Sequence, residues 1–271
     1  DVLNAASVNA INHYKLDVGQ LRTGDNADFI VVDNLKTFDV EKVFINGLVQ
    51  YDAALNDKSH QSSPERITLN NFVHDNVDVS AFKKPVSKTE KVISLIPDEL
   101  LTTIYDYTPR AATDNLESDT DNDIVKIVYI NRYANGTPQV AFCKGFHLKH
   151  GAFGSSVAHD SHNIIAVGCN DDDLQCVVNA IIGHKGGLAV SDAGRTDILS
   201  LPIAGIMSNG YGGDVASDYR KICTRVRDMG CGLHAPFMTL SFMSLLVIPE
   251  VKLGEKGLFS YSHFNWLSEI K

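Results

Sequence analysis

The sequence predicts an α+β protein in two domains, and three observations carry that expectation. Asn46-Gly47 stands between the apolar runs 42–45 and 48–51, a strong two-residue hairpin signal because both residues tolerate the positive φ of a type I′ turn. After Ile124 the chain starts a fresh alternation, Val125-Lys126-Ile127-Val128-Tyr129-Ile130, turns at Asn135-Gly136 and resumes with Val140-Ala141-Phe142. Two later segments repeat apolar residues at helical spacing. At 271 residues the chain exceeds the usual single-domain length, so domains are expected over 1–55 and 124–271 with a connecting segment over 56–123.

In chain order, Ser7 can cap a short helix whose Ala10, Ile11 and Tyr14 share a face before Gly19 ends it. A turn-rich stretch from Gly19 to Asp28 leads into Phe29-Ile30-Val31-Val32, which reads as a buried strand. The hairpin around Asn46-Gly47 follows. Ala53 to Arg66 is polar and contains Ser62-Ser63-Pro64, whereas Asp114 to Asp123 holds five acidic residues without apolar periodicity, so both read as loops or linkers. A regulatory tether is the functional reading of the first and a solvated connection the plain one. Ile164-Ile165-Ala166-Val167 is a further strand.

The first readable helix of the second half places Leu174, Val177, Val178, Ile181 and Ile182 on one face, with Asp171-Asp172-Asp173 at its positive N-terminal end. Val215, Tyr219, Ile222, Val226 and Met229 repeat the spacing in another. Phe237 to Leu246 is apolar nearly all round, which predicts deep burial. No repeat of 20 to 50 residues is visible.

Composition excludes several classes of function. Hydrophobic residues make up 44 % and charged ones 21 %, and no apolar run reaches the roughly 20 residues that span a bilayer. A net charge of −9 with scattered Lys and Arg repels a phosphate backbone, so no nucleic-acid partner is expected. Cys143, Cys169, Cys176, Cys223 and Cys231 are odd in number and lack CxxC spacing; reduced thiols and a cytoplasmic location are expected. No signal or transit peptide precedes the first helix, and the first residue is Asp rather than Met, which suggests removal of something upstream.

Candidate chemistry concentrates in His159-Asp160-Ser161-His162-Asn163, where two imidazoles, a carboxylate, a hydroxyl and an amide are consecutive. On an extended backbone His159, Ser161 and Asn163 would face away from Asp160 and His162, so one site needs a turn there. The alternative is a self-satisfied polar turn entering the next strand. Gly183-His184-Lys185-Gly186-Gly187 and Gly210-Tyr211-Gly212-Gly213 resemble anion-binding loops but lack a Walker or Rossmann context. His159-Asp160 as a phosphohydrolase pair fails because β-branched residues rather than a helix follow. No HxH or HExxH pattern places two imidazoles on one metal.

Residues 19–33 (GQLRTGDNADFIVVD) with Val43 to Gly47 resemble the segment that closes the barrel of amidohydrolases and enters their small β-sandwich. GAFGSSVAHDSHNIIAVG (151–168), LPIAGIMS (201–208) and PFMTLSFMSLLVIPEVKLGEKGL (236–258) resemble the C-terminal domain of adenine deaminases. Arg132-Tyr133 stands where that family commonly has Arg-His, and Gly254-Glu255 where it has Thr-Asp.

The resemblance implies a β-sandwich portion of an amidohydrolase over 1–55, an adenine deaminase C-terminal domain over 124–271, and hydrolysis of adenine to hypoxanthine and ammonia in purine salvage by the intact protein. It implies iron or manganese held by an N-terminal barrel whose ligands precede this chain, so no metal ligand is assigned here and the chain alone is expected to bind no metal and to be inactive. It implies adenine, that barrel and further copies of the protein as partners. His159, Asp160 and His162 become catalytic candidates in the active-site wall, and Ser161 and Asn163 candidates for substrate binding. The competing reading is a non-catalytic folding and oligomerisation module.

Overall fold

A computed structural model describes residues 1–55, 70–97, 99–109 and 114–270, and the chain separates into two compact units, Asp1–Pro64 and Glu65–Lys271. Residues 56–66 of the first expected linker lie outside the described residues.

The first unit opens with α1 (Val2–Ala6) and α2 (Val8–Tyr14). Ser7 occupies the N-cap position of α2, but its hydroxyl donates back to the Leu3 carbonyl at 2.6 Å. The helix stops at Lys15, which takes a left-handed conformation (φ 53°), short of Gly19. β1 (Phe29–Val32), β2 (Val40–Ile45) and β3 (Leu48–Asp52) form an antiparallel sheet in chain order. Asn46 and Gly47 have φ of 51° and 76°, the positive values that the hairpin turn requires. The Asp28 carboxylate accepts from the amides of Asn46 (2.7 Å) and Gly19 (2.8 Å), and these bonds hold its pKa below the ordinary range.

The second unit contains β4 (Glu90–Leu95), β5 (Thr102–Tyr107), β6 (Ile124–Ile130), β7 (Gln139–Lys144), β8 (Ala152–Ser155) and β9 (Ile164–Gly168). Then come α3 (Asp171–Gly183), β10 (Gly187–Asp192), β11 (Arg195–Ser200), α4 (Gly212–Asp228) and α5 (Pro236–Phe242). β12 (Val251–Gly254), β13 (Gly257–Ser260) and β14 (Asn265–Trp266) make a small antiparallel sheet. The main sheet has eight strands in the order β11-β10-β8-β9-β6-β7-β4-β5, antiparallel throughout except where β4 runs parallel to β7. The architecture is α+β.

β4 and β5 fall within 56–123, where a connecting segment was expected. Val92 and Ile93 are fully buried because β4 pairs with β7, with Val92 opposite Phe142. That pairing joins residues about fifty apart in sequence, and no local period announces it.

Both faces of the sheet are covered, and for this reason β6 is buried along its whole length. Its Val125, Ile127 and Tyr129 join the core under α4 and α5, while Val128 and Ile130 join the core under α3. Lys126 sits among them at 2 % exposure and is ion-paired to Asp171. Asn170 caps α3 by accepting from the Asp173 amide. Gly154 permits the closest approach of α3, since a Cβ there would lie 2.7 Å from Val177.

α5 is shorter than the apolar run 237–246. It ends at Phe242, and Met238 is 53 % exposed, because Pro236, Phe237 and Leu240 are the apolar side chains of this helix that turn fully inward. Among the described residues no helix is long and apolar enough to cross a membrane.

Candidate functional site

The segment 156–163 links β8 to β9, two antiparallel neighbours in the middle of the sheet, so it emerges at one end of the sheet between rigid supports. Ser156 fixes the near end. Its amide donates to the Gly187 carbonyl (3.0 Å), and its hydroxyl donates to the Gly205 carbonyl (2.6 Å) and accepts from the Gly187 amide (2.8 Å). The glycine-rich stretch 183–187 is thus the turn from α3 into β10 and a support for this loop, and Gly210 to Gly213 leads into α4.

The backbone does turn between His159 and Ser161. The His162 amide donates to the Ala158 carbonyl at 2.6 Å, and His162 adopts φ 52°. The turn breaks the alternation of an extended strand and brings the His159 and His162 rings to 6.1 Å between centroids. His159 is held from α5: its amide donates to the Ser241 carbonyl (3.0 Å), its carbonyl accepts from the Ser244 hydroxyl (3.1 Å), and its ring lies 4.6 Å from Phe242.

The five candidate side chains share the loop but differ in setting. Asp160 and Ser161 are exposed, His159 and His162 half-buried, and Asn163 buried. The Asn163 amide is engaged through both its nitrogen and its oxygen, donating to the Tyr129 hydroxyl (2.6 Å) and accepting from the Arg132 backbone amide (3.0 Å). The hydroxyls of Tyr129 and Ser161 are 3.1 Å apart, and the Tyr133 hydroxyl donates to the Ser161 carbonyl at 3.0 Å. His162 Nδ1 is buried without a hydrogen-bond partner among the described residues. Burial, then the neighbouring His159 and Arg132, push the His162 pKa down, with Asp160 opposing, so a neutral ring is favoured. A neutral imidazole offers one donor and one acceptor.

Beside the loop a polar cavity of about 280 Å³ is lined by Tyr129, Asn131, Asn135, Thr137, Gln139 and Glu255, with Asn131 donating to Glu255 at 3.0 Å. Tyr129 belongs to both places. Among the described residues no group of three His, Cys, Asp or Glu side chains is arranged to hold a metal ion.

Tyr129, Arg132, Tyr133 and Phe242 complete the surroundings without having been read as site residues. Tyr129 looks like a core position from its strand alternation, and Arg132-Tyr133 stood out only as a departure from a family pattern.

The family model described as the adenine deaminase C-terminal domain matches residues 99–265, and that of the amidohydrolase family matches residues 1–49. An adenine deaminase of Methanosarcina barkeri is 43 % identical over 98 % of the chain and 50 % of its own length. Those of Salinibacter ruber and of a Sulfurovum species are 41 % and 43 % identical, each over 100 % of the chain and 49 % of its own length. The chain therefore spans about half the length of the curated relatives it matches.

Proposed function

Because this chain belongs to the adenine deaminase C-terminal domain family, we propose that it serves as the C-terminal portion of an enzyme that hydrolyses adenine to hypoxanthine and ammonia. In this reading residues 1–55 are the end of an amidohydrolase barrel with part of its small β-sandwich, and the match of residues 1–49 supports that assignment. The loop 159–163 lies within the 99–265 match and forms part of the substrate-facing wall.

The observation that carries the reading is the partnerless, buried Nδ1 of His162 in a loop whose other buried polar atoms are bonded. Such an atom costs about 1 to 3 kcal/mol, and a ligand that bonds it removes the cost. Adenine carries donors and acceptors along its edges, which suits a neutral imidazole. His162, His159 and the exposed Asp160 are the proposed catalytic-wall residues. Ser161 is the substrate-binding candidate that can reach a ligand directly, and Asn163 contributes by holding Tyr129 and the Arg132 backbone in place.

The implied iron or manganese does not fit the described residues, which offer no convergent set of three donors. No metal chemistry is assigned to them, and the reading places the ion in a barrel outside this chain. The chain by itself is then expected not to deaminate adenine. Homo-oligomers, the cytoplasm and purine salvage belong to the same proposal.

The test uses the full-length protein. Replacing His162 or Asp160 by Ala should cut turnover by roughly a hundredfold or more, the loss typical of a positioned acid, base or orienting group, with fold and metal content unchanged. The engaged Asn163 amide favours a second reading, in which the loop only supports folding and assembly. That reading predicts a lower melting temperature with turnover retained in the folded fraction, and such a result would sink the active-site assignment.

A further inference from the structure

The polar cavity beside the 159–163 loop has walls of two kinds. Asn131 is engaged through both ends of its amide, accepting from the Tyr133 backbone amide at 2.9 Å and donating to Glu255 at 3.0 Å. Asn135 pairs with Asp75, accepting from its backbone amide and donating to its carboxylate, each at 2.8 Å. Behind that wall the buried His74 ring meets the Gly136 carbonyl at 3.1 Å. These bonds fix the shape of the cavity. Three other groups on its lining have no hydrogen bond among the described residues: the second carboxylate oxygen of Glu255, the amide oxygen of Gln139 and the Thr137 hydroxyl. Thr137 and Glu255 are exposed and Gln139 half-buried, so a ligand reaches them from solvent.

Apart from the one hydroxyl proton these groups are acceptors, and one of them is a carboxylate. Among the described residues no Lys, Arg or His side chain lines the cavity, and the chain carries a net charge of −9. A phosphate-bearing ligand therefore meets repulsion, whereas a molecule with several N–H donors finds acceptors. An ammonium ion, about the size of a water at roughly 30 Å³, would leave most of the space empty. A volume of about 280 Å³ lies at the small end of ligand pockets and suits a compact heterocycle. Tyr129 is the wall shared with the loop, its hydroxyl accepting from Asn163 at 2.6 Å and lying 3.1 Å from that of Ser161. We propose that this cavity binds a free aminopurine base, with Glu255 and Gln139 accepting from its N–H groups and Thr137 donating to a ring nitrogen.

The choice of a purine rests on the proposed function, while the preference for a donor-rich ligand without phosphate rests on the lining alone. The test needs no deamination. Adenine is titrated into the isotope-labelled chain and followed through its amide NMR signals. The backbone amides of Gly136, Thr137 and Glu255 should shift saturably, and those of β11, at the far edge of the sheet, should not. Glu255→Gln keeps an acceptor for Asn131 but removes the charge, and it should weaken adenine binding by roughly tenfold. Adenosine monophosphate should bind at least about tenfold more weakly than adenine.

Adenine that leaves the amides of Gly136, Thr137 and Glu255 unmoved overturns the proposal, and this result decides even where the variant does not fold. An unchanged affinity in a folded Glu255→Gln chain overturns it too, as does adenosine monophosphate bound as tightly as adenine. Displacement of adenine by an equal concentration of a linear diamine such as putrescine would make the cavity a general cation site and likewise overturn it. Should adenine bind here as expected while His162→Ala leaves turnover of the intact enzyme untouched, the active-site reading fails and this inference stands. Lost turnover in His162→Ala together with no adenine in the cavity sinks this inference alone.

Discussion

Replacing Lys252 by Met should make the protein more stable at neutral pH. Lys252 lies on β12 with no solvent exposure, and its ammonium donates to the Leu100 carbonyl at 2.8 Å. Burial lowers its pKa from 10.5 to about 8. At 1.36 kcal/mol per pH unit, holding the charge in the fold at pH 7 costs about 3 kcal/mol. Methionine fills nearly the same space without a charge, at the loss of one hydrogen bond worth about 1 kcal/mol. Leu100 is 44 % exposed, so water can serve its carbonyl. The net gain is about 2 kcal/mol.

The pH dependence has a definite sign. Between about 8 and 10.5 the unfolded chain keeps the Lys252 proton while the folded chain releases it. The lysine form therefore gains stability on the methionine form as pH rises through that window, and below 8 the difference is flat. Urea unfolding at pH 7, 8.5 and 10, followed by the emission of Trp266, the sole tryptophan and a residue of the same small sheet, measures it. A methionine form less stable at pH 7, or a difference that stays constant from pH 7 to 10, would refute the reasoning.

Gly205→Ala should lose at least about 2 kcal/mol, because the residue has φ 72° and its new methyl would meet the Arg132 guanidinium, which is walled in by Phe72 and Tyr133. Denaturant midpoints check this, and a neutral result would mean that the guanidinium is free to move. Asn163→Ala removes both bonds of a buried amide and should cost about 2 kcal/mol, seen as a melting temperature lower by roughly 4 to 8 °C. An unchanged melting temperature would show that water replaces the amide.

The elements legible in the sequence are those whose signal is local. Asn46-Gly47 identifies its hairpin because few residue pairs accept two positive φ values in succession. α3 is readable from its apolar face and the acidic first turn, and the five candidate residues 159–163 stand out by density alone. Resemblance of 151–168, 201–208 and 236–258 to one family's domain is likewise carried by residue order, without reference to shape.

Long-range pairing lies beyond that reach. β4 enters the sheet through a parallel partner, so Val92 and Ile93 are core residues within what reads as a linker. The tertiary structure alone decides which of the five candidates faces what, because the turn at 159–161 cancels the alternation, and β6 and the segment just after it supply Tyr129 and Arg132 from about thirty residues away. Side-chain identity determines which hydrogen bonds a residue can make. Whether Asn163 is spent on its neighbours, and His162 Nδ1 left without one, depends on where the sheet brings Tyr129 and Arg132, and no local pattern encodes that.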